Sequence, residues 1–473
     1  MARQLLIYEL NEVPWLLVDR YLSVRPRAFL GQVLRRARTL TTVASDPLPL
    51  EPWRSWPSFH TGLTSEGHRS VDLGQDPSTF GGTPIWDAAA DAGRTVGLFG
   101  ALQSWPARPR RGLVFHVPDT FARTPECLPA ALNAYQAVNL QLTRENLFSS
   151  DQRLSLRTLA TAPFVLARAG VRAESLARLA GHVLRELRDP GYRAGRSIQQ
   201  ALPHFDVFLR LVEEHRPELS IFFTNHVAGM MHRYWADAMT HFGEAAPYAI
   251  QDLDAQWVFR ALDVFDRQLR ALDGWVRGGD RVVAVASSMG QAPIPYRHVE
   301  RTWVLDDAHK LGAQLGLPPF TPRLAMYPGY SLEFADADAA SSAALRLEAL
   351  RLGAAALFRN VRVAGRTIHV DVACPALGAD MDQPLTHAGR PASPDAYGLT
   401  LRRRLGGGNT AHHVPEGSFW LFGRGVAPDD RRARVPLTSM KQRLLAFLGV
   451  DADDETHRPP TAARPPRAEH AYP

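Results

Sequence analysis

At 473 residues the chain is long enough for one large α/β domain with insertions or for two to three ordinary domains. With 45% hydrophobic and 22% charged residues it reads as globular, not disordered. The net charge is +6, but the arginines are spread along the chain and lysine occurs only at Lys310 and Lys441, so no basic block points to nucleic acid. Arginine's planar fork of donors does suit phosphate or sulfate. Cys127 and Cys374 lie far apart in no CxxC or Cys/His spacing, so a reducing compartment and no structural disulfide are expected. The opening MARQLLIYEL has an apolar run too short for a signal peptide or a membrane span, and the expectation is a cytoplasmic protein with no membrane partner.

Gln4–Leu10 is a short apolar run ending on Asn11, Glu12 and Pro14, as expected of a buried first strand that delivers polar side chains at its carboxyl end. Helical periodicity runs from Trp15 to Arg38, and Leu40–Ala44 reads as a short strand. Glu51–His68, EPWRSWPSFHTGLTSEGH, reads as a turn-rich loop set with hydroxyls, Trp and His, the kind of segment that carries reacting groups. Thr83–Ala92 predicts a helix, and Thr95–Gly100 and Gly112–Val117 predict strands. From Pro125 to Pro217 helix follows helix. Leu219–Thr224 returns to buried strand, Asp252–Trp275 is helical, and Arg281–Ala286 is a strand leading to Ser287-Ser288-Met289-Gly290. Short strands, a helix over Ala339–Leu357 and a hairpin over Val361–Val372 follow. Ser418–Phe422 reads as a last strand and Leu437–Leu448 as a last helix.

The alternation predicts an α/β fold with a doubly wound, largely parallel sheet. Its core spans residues 1–124, 217–317 and 374–451. A helical insertion spans 125–216 and a smaller α+β insertion 318–373. The Pro-, Ala- and Arg-rich tail 452–473 is expected to be disordered.

Three histidines flank predicted strands: His226 and His232 after LSIFFT, and His413 before SFWLF. Imidazole is a common ligand of zinc and similar metals, and three ligands with an open position make a catalytic site. The spacing of six between His226 and His232 is not that of a helical zinc pair, and His215, His241 and His412 qualify on residue type alone. In the loop, Ser55 is the candidate nucleophile.

The series of motifs resembles the alkaline phosphatase superfamily, in particular its type I phosphodiesterase/nucleotide pyrophosphatase-like branch. There a Thr or Ser nucleophile shortly before Pro is followed by Thr-Gly and His, as in Ser55, Thr61-Gly62 and His68. A later His near Trp corresponds to His232 before Tyr234-Trp235, and the last ligand segment to His413-Val414-Pro415-Glu416-Gly417. The resemblance spans about 5–124 and 217–425. Two departures stand out. Asn11, flanked by Glu9 and Glu12, replaces an Asp, and Ser288-Met289-Gly290 replaces Asp-His-Gly. A hydroxyl and a thioether do not substitute for carboxylate and imidazole as ligands. The resemblance therefore implies one lost metal site and one divalent metal at most, Zn or Mn, on His226, His232 and His413.

Without a metal at its oxygen Ser55 needs a base, for which His60, His68 or Glu12 are at hand. Arg54, Asn11, Glu12, Trp56 and Ser288 are expected to line the substrate. A single metal suits an ester with one negative charge, a phosphodiester or sulfate ester, better than a phosphate monoester. The expected activity is phosphoryl- or sulfuryl-ester hydrolysis, or transfer to an acceptor alcohol or amine, on a small anionic organic substrate. The alternative is a binding or regulatory member of the fold that has lost hydrolytic chemistry.

Overall fold

The computed structural model describes residues 3–46, 50–70, 72–73, 75–146, 156–244, 252–294, 301–323, 325, 329–372, 384–403 and 410–450. Cys374, Gly406–Gly408 and the tail 452–473 lie outside them. Ten strands position the site: β1 Gln4–Leu10, β2 Arg38–Val43, β3 Val96–Phe99, β4 Leu113–Val117, β5 Leu219–Thr224, β6 Arg281–Ala286, β7 Gly290–Pro293, β8 Ala411–Val414, β9 Glu416–Gly423 and β10 Asp429–Pro436. Eight of them form one sheet in the order β10-β2-β9-β6-β1-β5-β3-β4. Every neighbouring pair is parallel except those of β9, which runs antiparallel to both β2 and β6. The fold is thus α/β with a largely parallel central sheet, as the sequence predicts.

Why the central strands read as unbroken apolar runs follows from their position between two layers. Side chains alternate across a strand, and in β1 Leu6, Tyr8 and Leu10 join one buried cluster while Leu5 and Ile7 join another. In β6, Val283 and Val285 go to the first cluster and Val282, Ala284 and Ala286 to the second. The first cluster is closed by helices α3 (Arg196–His215), α4 (His226–Met239) and α5 (Trp257–Val276), and the second by α1 (Pro52–Thr61) and the helix Met440–Phe447. One further helix, α2 (Ala173–Arg188), packs against α3 and the 3-10 turn Pro190–Gly195. A third cluster, from Trp303 to Leu401, is the core of a smaller body of antiparallel strands and the helix Ala337–Leu347.

Several local expectations are corrected. Glu51–His68 is helix, not loop: α1 is followed by a short helix Ser65–His68. Pro52 stands at the first helical position, where its missing N–H costs nothing. Thr-Gly ends the helix, with Gly62 at φ 74°, a left-handed cap that glycine adopts freely. Pro57 would leave the Trp53 carbonyl without its helical partner, but the Ser70 hydroxyl donates to that oxygen at 2.8 Å. The helix Trp15–Arg38 is two short helices, Trp15–Val24 and Phe29–Leu34, parted near Pro26. The helix over Ala339–Leu357 stops at Leu347 because Leu350–Leu352 turns back on Ala355–Ala356 through Gly353 at φ 58°. Among the described residues no helix is long and apolar enough to cross a membrane.

Candidate metal and nucleophile site

The site forms where the chain leaves β1. Asn11 continues the sheet by donating its N–H to the Thr224 carbonyl at 3.2 Å, and Glu12 then adopts φ 60°, the left-handed region where a non-glycine residue signals a functional constraint. The turn is held from both sides. The Ser287 hydroxyl donates to the Leu10 carbonyl at 2.5 Å, and the Ser418 backbone and hydroxyl donate to the Val13 carbonyl at 3.0 and 2.6 Å.

This conformation places the Glu12 carboxylate, 2% exposed, between two groups of side chains. Oε1 accepts from the Asn11 amide at 2.8 Å. Oε2 lies 3.0 Å from His232 Nε2 and 3.3 Å from His413 Nε2, and accepts from the Gln291 amide. The two imidazole nitrogens are 3.4 Å apart. The β7–β8 ladder pairs His413 with Gln291, which sets both side chains on one face. Gly290 permits that ladder to approach, since a Cβ there would stand 2.3 Å from the Glu416 carbonyl oxygen. His232 sits just before a break in α4 at Tyr234 (φ −138°). Thr410 bridges the break, donating from its N–H to the His232 carbonyl at 2.6 Å while its hydroxyl oxygen accepts from the Trp235 N–H at 2.8 Å.

Glu12, His232 and His413 offer three ligand atoms within 4.8 Å of one another, a mixed N/O set that suits Zn or Mn. His413 Nδ1 faces the Leu50 carbonyl at 2.6 Å. That bond fixes the tautomer and turns Nε2 toward Glu12, the usual second-layer support of a ligating histidine. Electrostatics agree with an ion pair in the absence of a metal. Burial alone would raise Glu12 and lower His413, but their attraction reverses both: the Glu12 carboxyl is held well below the carboxylate range by His413 and His232, and His413 is pushed up to about 9 by Glu12 and Glu51. Burial also pushes Glu51 up to about 7.

His226 is not part of this cluster. Six residues along a helix turn through roughly 240°, and His226 points instead to the Thr224 hydroxyl at 2.8 Å and the Ala261 carbonyl at 3.2 Å. Burial lowers it to about 4. The acidic third member is Glu12, which the sequence reading assigned to substrate or base.

On the other side of Asn11 lies the candidate nucleophile. Ser55, fully buried on α1, has its Oγ 2.8 Å from Ser288 Oγ. Asn11 donates to Asn225 Oδ1 at 2.8 Å and accepts from the Trp56 indole at 2.8 Å. Trp56, wholly buried, is therefore a brace for Asn11 and not a substrate wall. Arg54 Nε is buried without a hydrogen-bond partner.

Neither loop histidine reaches Ser55. His60 Nε2 pairs with Glu9 Oε1 at 2.5 Å behind α1, stacked on Trp56 and edge-on to Trp86. His68 Nδ1 accepts from the Ser70 N–H at 3.0 Å, which leaves its Nε2 as the protonated nitrogen, 3.0 Å from Ser58 Oγ. Ser58 in turn lies 3.2 Å from Asp46. The trio has the residue types of a hydrolytic triad but the reverse roles, since here the imidazole donates to the serine. Burial holds His68 near 4, in keeping with that neutral form. Among the described residues no carboxylate or imidazole bonds the Ser55 hydroxyl.

Gln291 escaped the sequence reading as a site residue, and no signal in the sequence marks it.

No protein-family model matches the chain, and no curated protein sequence does. Among solved structures it is similar to phosphonoacetate hydrolase from Sinorhizobium meliloti in complex with phosphonoacetate, at 15% identity over 95% of this chain and 96% of that one, TM-score 0.41. It is also similar to murine ectonucleotide pyrophosphatase/phosphodiesterase 5, at 11% identity over 95% and 96%, TM-score 0.43. A third is Thermus thermophilus alkaline phosphatase, at 14% over 94% and 91%, TM-score 0.41.

Proposed function

We infer that the chain is a phosphoryl- or sulfuryl-ester hydrolase or transferase that works through Ser55 with one divalent metal, Zn or Mn, on Glu12, His232 and His413. The observation that carries this reading is the double role of Glu12. One carboxylate oxygen faces the two imidazoles, and the other is bonded to Asn11, which is braced in turn by Trp56, the residue after Ser55 on α1.

When bound, the metal would supply positive charge to an ester oxygen. The chain's own groups do the rest. Ser55 Oγ attacks phosphorus or sulfur as the bond to the leaving alkoxide breaks, the Ser55 proton passes to that alkoxide so that it departs as the alcohol, and water or an acceptor later releases the group from Ser55. Ser288 Oγ, at 2.8 Å, orients the attacking hydroxyl. The Asn11 amide is engaged by Glu12 and Asn225, and the Asn225 amide is a neutral donor for a non-bridging oxygen, which suits an ester of single charge better than a dianion. Glu12, His232 and His413 bond one another and not Ser55, so they take no proton from the attacking hydroxyl.

The test is turnover of bis(p-nitrophenyl) phosphate, p-nitrophenyl sulfate and p-nitrophenyl phosphate with added Zn²⁺ or Mn²⁺. The diester or the sulfate is expected to be preferred over the monoester. Ser55→Ala is expected to reduce kcat at least about 10³-fold with an unchanged circular-dichroism spectrum; full activity in that variant overturns the assignment. The second reading, a binding protein without hydrolytic chemistry, is favoured by the absence, among the described residues, of a base on the Ser55 hydroxyl. It predicts no turnover of any of the three esters and equal ester binding by wild type and Ser55→Ala.

A further inference from the structure

Helix α2 (Ala173–Arg188) is turned inside out. Steps of four and three residues set Ala173, Ala177, Ala180, Leu184 and Leu187 in one stripe, and all five are exposed, Leu184 at 57% and Leu187 at 78%. Val183, beside them, is 39% exposed. The opposite side of the helix is polar. Ser175 and His182 are buried there, and the half-buried Glu186 carboxylate accepts from Arg196 at 2.9 Å and faces Arg193 at 3.7 Å. Of its leucines, Leu176 packs on the first cluster. A surface helix ordinarily does the reverse, with its apolar stripe toward the core. The helix before it, Leu156–Arg168, exposes Phe164 at 66%, with the Arg168 guanidinium 5.7 Å from the ring centre. Apolar residues scattered singly on a surface are ordinary, but a stripe along a whole helix marks a face that is covered in use.

Charge around the stripe says what covers it. Along this stretch Arg168, Arg172, Arg178, Arg185 and Arg188 are exposed, against the exposed carboxylates Glu174 and Asp189. Glu174 pairs with Arg178, Arg172 faces Asp206 at 3.3 Å, and Asp189 accepts from the Gly191 N–H at 2.9 Å. Among the described residues that leaves Arg168, Arg185 and Arg188 without an ion pair. An apolar stripe with a basic fringe matches a surface that is hydrocarbon within and anionic at its rim, and guanidinium heads reach phosphate while their stems lie on the apolar side. A second copy would meet this face with the same arginines, like charge against like.

We propose that α2 lies on a lipid bilayer, its Ala173–Leu187 stripe in the headgroup–acyl boundary and Arg185 and Arg188 on the phosphates of anionic lipids. The expectation of no membrane partner rests on the lack of a spanning run, which a helix lying in the interface does not need. With so few large apolar side chains the attachment is reversible and depends on acidic lipid.

Cosedimentation of the full chain with vesicles of phosphatidylcholine, alone or mixed with phosphatidylserine, tests it. The chain is expected to pellet with the mixed vesicles and not with phosphatidylcholine alone, and to be released as salt is raised. Leu184→Ser with Leu187→Ser, and separately Arg185→Glu with Arg188→Glu, are each expected to weaken binding at least about tenfold. All four positions are exposed, so circular-dichroism spectra should stay as in wild type. Failure of the wild type to pellet with phosphatidylserine vesicles overturns the proposal, as does binding that both paired variants retain in full. Sedimentation velocity supplies the remaining arm: a dimer that Leu184→Ser with Leu187→Ser turns into monomer, with no vesicle binding by the wild type, overturns it in favour of a second copy.

Discussion

Replacing Glu12 by Gln keeps shape and volume while removing the charge that His232 and His413 face at 3.0 and 3.3 Å. In the metal-free protein, the displacement of His413 from 6.5 to about 9 corresponds to about 3 kcal/mol at 1.36 kcal/mol per unit. Because the folded value is raised, this stabilisation is complete below pH 6.5 and is lost as pH rises through about 9. The Glu12 carboxyl is depressed, so its side of the same pair is complete above its ordinary 4.5 and lost as pH falls below that value. The two shifts describe one ion pair and are counted once. Urea unfolding in chelator should therefore find Glu12→Gln less stable than wild type by up to about 3 kcal/mol between pH 4.5 and 6.5, Glu51 and the Leu50 carbonyl carrying the rest of the His413 shift, with the gap closing toward pH 9. Calorimetric titration with Zn²⁺ at pH 7 should find binding at least about 100-fold weaker, or about 2.7 kcal/mol, since the one anionic ligand is gone. Wild-type Zn²⁺ affinity in the variant, together with a stability gap that does not vary with pH, refutes the ion pair and the metal site together.

His60→Leu removes the partner of Glu9, which is wholly buried and already has Oε2 unbonded. It should destabilise the fold by about 3 kcal/mol or more in urea unfolding, while the folded fraction retains wild-type kcat because His60 does not touch Ser55. His116 and His226 are buried and lowered to about 4. The unfolded chain takes up protons that these side chains refuse in the folded state, so stability is full above pH 6.5 and falls toward pH 4, by about 3 kcal/mol for each. Replacing His226 by Gln should reduce the slope of stability against pH in that window by about one proton, read from urea midpoints at several pH values. Gly290→Ala should spread the β7–β8 ladder and displace Gln291 and His413, with a tenfold or greater loss of Zn²⁺ affinity in the same calorimetric titration.

Much of the scaffold could be read from sequence because burial on two faces leaves a plain mark. Gln4–Leu10, Leu219–Thr224 and Arg281–Ala286 were legible to the residue. β10, with the sequence DDRRARVP, left no mark because it pairs only with β2 at the sheet edge and is largely exposed. The segment Glu51–His68 misled because proline at the first helical position and proline within a turn are the same letter, and only the Ser70 hydroxyl on the Trp53 carbonyl makes Pro57 tolerable in α1. At the site, the places of His232 and His413 after and before strands mark both as candidates, and the structure brings the two rings together. Glu12 could not be recognised as their partner, because its orientation depends on one left-handed backbone angle. His226 was overcounted, since residue type and proximity in sequence carry no information about which side of a helix a ring leaves from.

The antiparallel strand β9 has a consequence for how the protein is made. It stands between β2 and β6, and β2's other neighbour is β10, so β2 is among the first strands synthesised and yet has no partner in the sheet until the chain beyond residue 416 has emerged. At 5–20 residues per second, that leaves roughly 20–80 s between the emergence of β1 and that of β9. During that interval β6, β1, β5, β3 and β4 can assemble as a half-sheet, but one side of β6 stays bare, and an uncovered strand edge invites pairing with another chain. A ribosome that stops short of β8 also releases a product without His413. Covering of the β6 edge and completion of the Glu12–His232–His413 cluster are thus tied to the same late stretch of the message.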